Sequence, residues 1–284
     1  MHCLLDADSI IFRCGFAVEH KKHKFFIKGE EHLGPFQIYE YKKDIPKEFK
    51  EDEGLVYKEE VEIEPLQNAL HLVKQELEGI ISATSATGYS VYIKGKGNFR
   101  EAISVTRVYK GNRDVTHRPK YEKEIREYLK EHWDAIEVDG MEADDRCAIE
   151  QEARYVCEED NGGEGICTSI IASIDKDLNQ VPGWHYNFKT KEKYWVTEEE
   201  GERNFYLQLL TGDASDNIQG IPNVGLVAAA RILEGAVHSM DMYLRCKEAY
   251  VRYYGKDADK VLTEMANLIY LRRSENDAWQ PPSK

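Results

Sequence analysis

Short apolar runs alternate with longer segments of helical periodicity through the first two thirds of the chain. Buried strands are predicted at 3–5, 89–93, 135–138 and 168–174, and helices at 66–81, 119–132 and 141–157. Strands that alternate with helices usually pair in parallel, with helices on both faces of the sheet. The pattern therefore predicts an α/β fold with a mostly parallel central sheet flanked by helices.

The pattern becomes helical after Trp195. Thr197 and Glu200 have the spacing of a capping box, in which the two side chains satisfy backbone groups at a helix start. Helices are predicted from there to about 211 and at 223–233, 238–254 and 257–273, with Asn223 as a cap. We therefore expect residues 1–196 to form an α/β core and residues 197–284 a helical region.

Two segments of the expected core depart from this alternation. Residues 21–64 are charged and aromatic and alternate locally in KFFIKG and FQIYEY, which predicts a β-rich insertion. Residues 94–130 carry 11 Lys and Arg against 5 Asp and Glu, whereas residues 134–164 carry 2 against 12. This contrast is typical of solvated helix faces, and equally of a protein that holds phosphates with one segment and metal ions with the next.

Composition narrows the class of protein. The 284 residues are 42% hydrophobic, which allows a sizeable core, and the chain has no run of about 18 apolar residues that would predict a membrane span. The N-terminus lacks the features of a secretory signal, and the six cysteines contain no CxxC pair. We therefore expect a cytoplasmic protein with free thiols and neither a disulfide framework nor a zinc site. The net charge of −14, taken alone, disfavours a nucleic-acid partner.

Acidic residues cluster where predicted strands and helices end. They follow the first strand, open the helix after the third strand, follow the longest strand, and lie in TGDASDN after a helix: Asp6, Asp8, Glu142, Asp144, Asp145, Asp175, Asp177, Asp213 and Asp216. Because the carboxyl ends of parallel strands meet at one edge of a sheet, three of these groups should face the same crevice.

Carboxylates that converge in this way repel one another unless cations lie among them. Oxygen-only ligands favour Mg²⁺ or Mn²⁺ over zinc, and a pair of such ions is a common device for phosphodiester hydrolysis. Each group alone has an ordinary interpretation, since acids are frequent in a first helical turn and Asp is frequent in turns after strands. Their joint occurrence at successive strand ends is what favours a metal site.

The sequence GIPNVG at 220–225 is a second candidate element, between two predicted helices. Glycines five apart around a proline suit a tight hairpin with outward-facing backbone N–H groups, followed by a helix N-terminus. A helix–hairpin–helix of this kind grips the backbone of a duplex without reading its bases. The alternative is an ordinary turn between helices.

The strings LLDADSIIFR, GMEADD, IASIDKDLNQ and LLTGDASDNIQGIPNVG occur in an order that resembles the flap endonuclease/5′→3′ exonuclease family. This family includes phage exonucleases and the 5′-nuclease domain of bacterial DNA polymerase I. YKGNR at 109–113 is similar to its basic motif at the foot of a helical arch, so that 94–130 would be the arch region. The resemblance covers 6–230 without 21–64, and it implies a PIN-like or Rossmann-like sheet with a C-terminal helix–hairpin–helix.

The resemblance also implies roles for individual residues. One Mg²⁺ ion, replaceable by Mn²⁺, would be held by Asp6, Glu142 and Asp144, and a second would be held or surrounded by Asp145, Asp175, Asp177, Asp213 and Asp216. The basic motif would contact DNA through Tyr109, Lys110 and Arg113, of which Lys110 and Arg113 would stabilise charge on the scissile phosphate. The hairpin would bind duplex DNA through Gly220, Ile221 and Gly225, with a K⁺ ion.

Two departures from the family pattern bear on these assignments. The family has an acid after the second strand, where this chain reads YIKGKGNFRE and places Lys94 or Gly95. The family also has a lysine after the hairpin, where this chain reads GLVA at 225–228. One metal ion would then lack a ligand, and one phosphate contact would be absent.

The resemblance therefore implies a monomeric, phage-like or bacterial 5′-nuclease that cleaves DNA at 5′ ends, flaps or nicks during replication or repair. The same chemistry removes RNA primers, so an RNA–DNA hybrid is an alternative substrate. A PIN-like ribonuclease is a rival with the same acidic cluster, although such domains lack the hairpin. A nonenzymatic DNA-structure-binding protein is another rival, for which the missing acid would mark lost catalysis.

Overall fold

The computed structural model describes residues 1–113, 116–156 and 165–283. These residues separate into two compact units. The first comprises Met1–Ser9, Leu77–His117 and Leu129–Lys284, and the second comprises Ile10–Glu76 and Arg118–Tyr128. The helical region after residue 196 thus belongs to the same unit as the first nine residues of the chain.

A six-stranded sheet lies at the centre of the first unit. Its strands are β1 (His2–Asp6), β5 (Gly88–Lys94), β6 (Ile136–Val138), β9 (Ser169–Ala172), β10 (Gly183–Asn187) and β11 (Glu192–Val196). The order is β11-β10-β9-β1-β5-β6, in which all neighbours are parallel except β10 and β11. Residues 3–6 of β1 are buried, as expected for the central strand of a parallel sheet covered on both faces. The predicted mostly parallel α/β fold is confirmed.

Helices and short ladders complete this unit. The helices are α4 (Phe99–Ile103), α6 (Ala143–Glu152), α7 (Glu198–Thr211), α8 (Leu226–Ile232), α9 (Ser239–Tyr254) and α10 (Ala258–Ile269). The two-stranded ladders are β7 (Tyr155–Val156) with β8 (Ile166–Cys167), and β12 (Gly212–Asp213) with β13 (Ile218–Gln219). None of the helices in the described part of the chain is long and apolar enough to cross a bilayer.

Two apolar clusters hold the first unit together. One packs α6 against the sheet through Leu4, Tyr92, Cys147 and Ile171, and Leu271 from the segment after α10 joins it. The other is the core that α7 to α10 share, and Tyr109 belongs to it. Residues of the basic motif and of the segment after α10 are therefore fixed by the packing of the unit.

The second unit contains a three-stranded antiparallel sheet. Its strands, in the order β3-β2-β4, are β2 (Glu19–Ile27), β3 (Gln37–Tyr39) and β4 (Leu55–Ile63), and α2 (Lys47–Glu51) lies between β3 and β4 in the chain. The larger parts of three helices also belong to this unit: α1 (Asp8–Ala17), α3 (Leu66–Thr84) and α5 (Glu122–Trp133). The three strands span residues 19–63, close to the segment 21–64 for which the sequence predicts a β-rich insertion, and Phe25 and Phe26 are the buried hydrophobic residues of β2.

Two local predictions need correction, and a third is confirmed. The helix predicted to reach Cys157 ends at Glu152, because the chain turns there into β7, and Cys157 lies outside the described residues. Asn223 does not cap α8, since its φ of 65° places it inside the hairpin turn and Gly225 precedes the helix. The capping box of Thr197 and Glu200 is confirmed, with reciprocal hydrogen bonds of 3.1 and 2.9 Å.

Candidate active site

The ends of β1 and β9 bring two acidic groups together through one serine. Asp6 is the last residue of β1 and is 9% exposed. The Ser173 hydroxyl, directly after β9, donates to Asp6 Oδ2 at 3.1 Å and accepts from the backbone N–H of Asp175 at 3.0 Å. Because β1 and β9 are parallel neighbours, these two acids meet at the carboxyl edge of the sheet, as the strand pattern predicts.

The start of α6 supplies the next acids to this edge. Glu142 is buried, and its backbone N–H donates to Asp145 Oδ2 at 3.2 Å in a capping box. Asp144 Oδ1 accepts from the backbone N–H of Asp145 at 2.7 Å. The capping geometry therefore fixes the direction in which Glu142 and Asp144 leave the helix.

The basic motif lies directly over these carboxylates. The Tyr109 hydroxyl is 2.8 Å from Glu142 Oε2 and 2.8 Å from Asp216 Oδ2. Lys110 Nζ donates to Glu142 Oε1 and is 3.5 Å from Asp216 Oδ2. Arg113 Nη2 donates to Asp216 Oδ1 at 2.6 Å. One hydroxyl and two cations from YKGNR thus bridge acids from two separate segments of the sequence.

The turn that carries Lys110 is bound to the GDASDN loop by its backbone. Lys110 has a φ of 55°, in the left-handed region that side chains other than glycine seldom adopt. Its N–H donates to the carbonyl of Asp216 at 2.9 Å, and Asn217 Nδ2 donates to the carbonyl of Val108 at 2.9 Å. A strained conformation maintained in this way is common at functional sites.

The third acidic group comes from the segments that follow β9 and α7. Asp175 Oδ1 accepts from the backbone N–H of Asp177 at 2.9 Å. Asp213 is buried, and its Oδ1 accepts from the N–H groups of Ser215 at 2.7 Å and Asp216 at 3.2 Å. These bonds direct the loop at 213–216 toward the same edge as Asp175.

Burial raises the pKa values of several of these acids. The pKa of Asp6 rises to about 7 because of burial and then the charges of Asp8 and Asp175. The pKa of Asp177 also rises to about 7, through burial and its neighbours Asp175 and Asp213. Burial and the adjacent charges of Asp145 and Glu142 raise the pKa of Asp144. Loss of hydration among these groups makes their charged forms costly without a cation.

Glu142 and Tyr109 respond to the same surroundings in opposite ways. Burial alone would raise the pKa of Glu142, but the cations Lys110 and Arg100 outweigh it and lower that pKa to about 2. Burial and the charge of Glu142 raise the pKa of Tyr109, which therefore stays a neutral hydrogen-bond donor. The site is thus a carboxylate cluster in which Glu142 is charged and partly neutralised by the basic motif.

Asp145 is set apart from this cluster. It is fully buried, and both of its carboxylate oxygens receive hydrogen bonds from the guanidinium of Arg100, at 2.5 and 2.9 Å. Arg100 could not be identified from the sequence, because its partner lies 45 residues away and nothing in the chain marks the pairing.

Lys94 and Gly95 occupy the position at which an acid was expected. Lys94 Nζ is 3.8 Å from Glu142 Oε1, and the N–H of Lys94 donates to both oxygens of Asp8, at 3.2 and 3.1 Å. A side chain at Gly95 would place its Cβ 2.3 Å from Asp139 Oδ1 and 2.8 Å from the carbonyl oxygen of Val138. A cation therefore stands beside the cluster at this strand end, and Gly95 leaves no room for a carboxylate.

The donor chemistry of the edge suits a hard divalent cation. All of its candidate ligands are carboxylate oxygens, and burial together with neighbouring carboxylates raises the pKa values of Asp6, Asp144 and Asp177. In the conformation described, no three Asp, Glu, His or Cys side chains of residues 1–113, 116–156 and 165–283 are arranged to enclose one ion.

The two glycines of the hairpin at 220–225 differ in the space available for a side chain. A Cβ at Gly220 would lie 2.3 Å from the backbone nitrogen of Gly212 and 2.5 Å from the carbonyl oxygen of Leu210. A Cβ at Gly225 would meet nothing within 4 Å. Ile221 is buried in the helical core. An open pocket of about 570 Å³ lies beside this hairpin, and Arg107 and Asn112 also line it.

Comparisons with known proteins give one related sequence and several similar solved structures. No model of a known protein family matches the chain. A segment of 108 residues, 35% of the chain, is 37% identical to DNA polymerase I of Rhizobium leguminosarum. The chain spans about 10% of the length of that protein.

Similar solved structures include a complex of the bacteriophage T5 flap endonuclease with DNA and metal ions (TM-score 0.43, 18% identity, 70% of this chain and 90% of that one). They also include the T5 5′-exonuclease with bound zinc (TM-score 0.42, 18% identity, 73% of this chain and 92% of that one). The chain resembles the 5′-nucleases, as its motifs predicted. Likenesses of this extent leave the activity to be inferred from the chain's own residues.

We predict that Asp144→Asn raises the Tm of the metal-free protein at pH 8. The raised pKa of Asp144 means that its charged form opposes folding at every pH above the ordinary aspartate range, whereas asparagine keeps the acceptor oxygen without the charge. The gain should shrink as the pH falls and be nearly gone near pH 4, about the ordinary pKa of aspartate, below which the carboxyl becomes neutral in both the folded and the unfolded chain. Differential scanning calorimetry in EDTA at both pH values measures this, and a lower Tm for the variant at pH 8 would contradict it.

We also predict that the two hairpin glycines differ in their effect on stability. Gly220→Ala forces a methyl group against backbone atoms, which should lower the free energy of unfolding by about 1 to 3 kcal/mol. Gly225→Ala enters open space at a φ of −90° and should leave stability within about 0.5 kcal/mol. Urea unfolding of both variants provides the comparison, and equal losses would show that the hairpin is packed differently.

Proposed function

We propose that this protein is a divalent-metal-dependent 5′-nuclease that hydrolyses phosphodiester bonds in DNA. The observation that supports this best is the meeting of three acidic groups with Tyr109, Lys110 and Arg113 at one sheet edge. Carboxylates alone would suit many cation sites. The addition of two cations from one turn suits a substrate that is itself an anion, such as a backbone phosphate.

The acids divide into two sets by the elements that carry them. Asp6, Glu142 and Asp144 from β1 and α6 would hold one Mg²⁺ ion, and Asp175, Asp177, Asp213 and Asp216 from the segments after β9 and α7 would hold or surround a second. Mn²⁺ would replace either ion. Bound there, divalent cations polarise phosphoryl oxygens and lower the pKa of a water molecule. Asp145 is not among the proposed ligands, because Arg100 engages both of its oxygens.

The chain's own cations and hydroxyl act on the phosphate. Lys110 and Arg113 would move from Glu142 and Asp216 to the oxygens of the scissile phosphate and stabilise the charge that develops on them. Tyr109, kept neutral by its raised pKa, would hold Glu142 and Asp216 in place through its hydroxyl. The backbone at 220–225 would bind the duplex beside the cleavage site, with K⁺ in the hairpin as a further proposal.

The substrate class follows from the resemblance. We propose DNA with 5′ ends, flaps or nicks, cleaved in replication or repair, with RNA–DNA hybrids as an alternative substrate. The protein would act as a monomer in a bacterial or phage-infected cytoplasm. A nonenzymatic DNA-structure-binding role is the second candidate, and the observation that favours it is Lys94, whose Nζ lies 3.8 Å from Glu142 at the expected position of an acid.

A labelled substrate panel tests the proposed activity. Flap, nicked, single-stranded and RNA-primed substrates are incubated with the wild-type protein in Mg²⁺ or in EDTA, with Asp175→Asn as the inactive control. We expect cleavage near the 5′ end in Mg²⁺ alone and none by Asp175→Asn. Binding that persists in EDTA without any cleavage in Mg²⁺ would instead select the nonenzymatic role.

We predict that Lys110→Ala slows cleavage by about 100- to 1,000-fold, as removal of one aligned electrostatic group does in other active sites. Lys123→Ala is the matched control, because Lys123 is exposed and pairs only weakly, at 3.8 Å, with Glu127. If Lys123 contacts DNA, its removal should change only the salt dependence, with a log–log slope smaller by about 1. Single-turnover rates decide this, and equal losses for the two variants would refute the role of Lys110.

We predict that Gly225→Val weakens duplex binding without changing stability. The position is open in the free protein, so a valine should fold normally and block only the close approach of a phosphate backbone. Affinity for nicked DNA, measured by isothermal titration in Ca²⁺, should fall about tenfold, or 1.4 kcal/mol. Wild-type affinity would rule out the hairpin as a duplex contact, whatever the outcome for catalysis.

A further inference from the structure

Arg100 is among the largest side chains buried in the first unit, and its guanidinium donates four hydrogen bonds. It lies on α4 and is 2% exposed. Besides its two bonds to Asp145, its Nε donates to the carbonyl of Leu268 at 2.8 Å and its Nη2 donates to the carbonyl of Tyr270 at 2.9 Å. These carbonyls lie at the end of α10, where helical carbonyls lack partners within the helix.

Asp145 connects Arg100 to the acidic edge of the sheet. Its Oδ2 accepts from the backbone N–H of Glu142, and its Oδ1 accepts from the backbone N–H of Arg272 at 3.2 Å. The guanidinium of Arg272 in turn lies 3.6 Å from the ring centre of Phe99, the neighbour of Arg100. Arg100 therefore joins α4, the first turn of α6 and the segment after α10 through a single carboxylate.

The orientation of Asp145 affects the candidate ligands Glu142 and Asp144. Glu142 and Asp144 stand on either side of Ala143 in the turn that Asp145 caps, so a shift of Asp145 would turn both of them. A guanidinium that engages both oxygens fixes the position and the rotation of a carboxylate, which a single point charge does not.

We infer that Arg100 is a positioning residue for the metal-binding acids: through Asp145 it holds Glu142 and Asp144 in the orientation that binds a divalent cation. The inference rests on the proposed function, and it makes residues 268–272 part of the support of the site. Residues that orient metal ligands commonly change affinity by about 10- to 100-fold when they are replaced.

A positioning role and a purely electrostatic role of Arg100 predict opposite changes in Mn²⁺ affinity when Arg100 is replaced. Arg100 is a cation near the proposed cation site. If it acts there only through its charge, or otherwise only supports the fold, a folded variant that lacks this charge should bind Mn²⁺ more tightly. If it positions the ligands, its removal should weaken Mn²⁺ binding. Arg100→Met tests this directly, but it leaves the Asp145 carboxylate buried and unpaired, so the fold itself is at risk.

Two further variants keep the test decisive. Arg100→Lys retains the charge and loses the planar fork, and Arg100→Met/Asp145→Asn removes both charges while asparagine keeps an acceptor for the Glu142 N–H. Lys130→Met is the control for loss of a cation, because Lys130 is exposed and pairs with Glu137. Circular dichroism and Tm in EDTA identify the variants that remain folded.

Mn²⁺ affinity is measured without DNA by electron paramagnetic resonance, together with single-turnover cleavage and DNA affinity in Ca²⁺. We expect Arg100→Lys and the double variant to bind Mn²⁺ about 10- to 100-fold more weakly and to cleave more slowly, with DNA affinity unchanged. The double variant should be no weaker than Asp145→Asn alone, because both changes interrupt one contact.

The outcomes separate the inference from the proposed function. Folded Arg100 variants that bind Mn²⁺ as tightly as the wild type, or more tightly, would overturn the positioning role. A double variant that binds Mn²⁺ more weakly than Asp145→Asn alone would also overturn it, since Arg100 and Asp145 would then act on Mn²⁺ binding independently. Failure of the wild-type protein to bind Mn²⁺ would instead refute the proposed function.

Discussion

Mutual repulsion among carboxylates at the carboxyl edge of a parallel sheet is the constraint on which the rest of this structure depends. Asp6 and Asp175 are delivered there by two neighbouring strands, and α6 adds Glu142 and Asp144. Burial raises the pKa values of Asp6, Asp144 and Asp175, so the free chain carries an electrostatic cost at neutral pH. These destabilising carboxylates lie together at one edge of the sheet, and clusters of groups with strongly shifted pKa values are typical of functional sites.

Two kinds of contact hold the edge together. Neutral donors such as the Ser173 and Tyr109 hydroxyls fix the direction of carboxylates without cancelling their charge. Cations cancel charge, and Lys110 and Arg100 are the ones that lower the pKa of Glu142. Lys110 reaches the edge from a surface turn, whereas Arg100 is buried beneath it. A partly exposed cation and a buried cation suit a site in which the first must contact substrate and the second must stay in place.

The sheet and the acidic edge could be predicted because they depend on local pattern. Apolar runs that end in acids placed Asp6 and Asp175 at strand ends, and the capping box at Thr197 set the start of α7 correctly. Parallel pairing then brought the acids together without any knowledge of long-range contacts.

The contacts within the site could not be predicted in the same way. The pairing of Arg100 with Asp145 and the reach of Lys94 to Glu142 depend on side-chain packing between segments about 45 residues apart. The different needs of Gly220 and Gly225 are also invisible in the sequence, because both glycines fit the same hairpin motif and only the backbone around Gly220 is crowded. The hairpin of β10 and β11 went unpredicted as well, since its aromatic residues have no clear period.

The most direct test of the account is the anomalous diffraction signal of Mn²⁺ in crystals of the wild-type protein. We expect Mn²⁺ at the sheet edge, bound by oxygens of Asp6, Glu142 or Asp144 and of the group around Asp175, with Asp145 still paired to Arg100. Absence of Mn²⁺ from this edge at saturating concentration, or Mn²⁺ bound to Asp145 with Arg100 displaced, would contradict it.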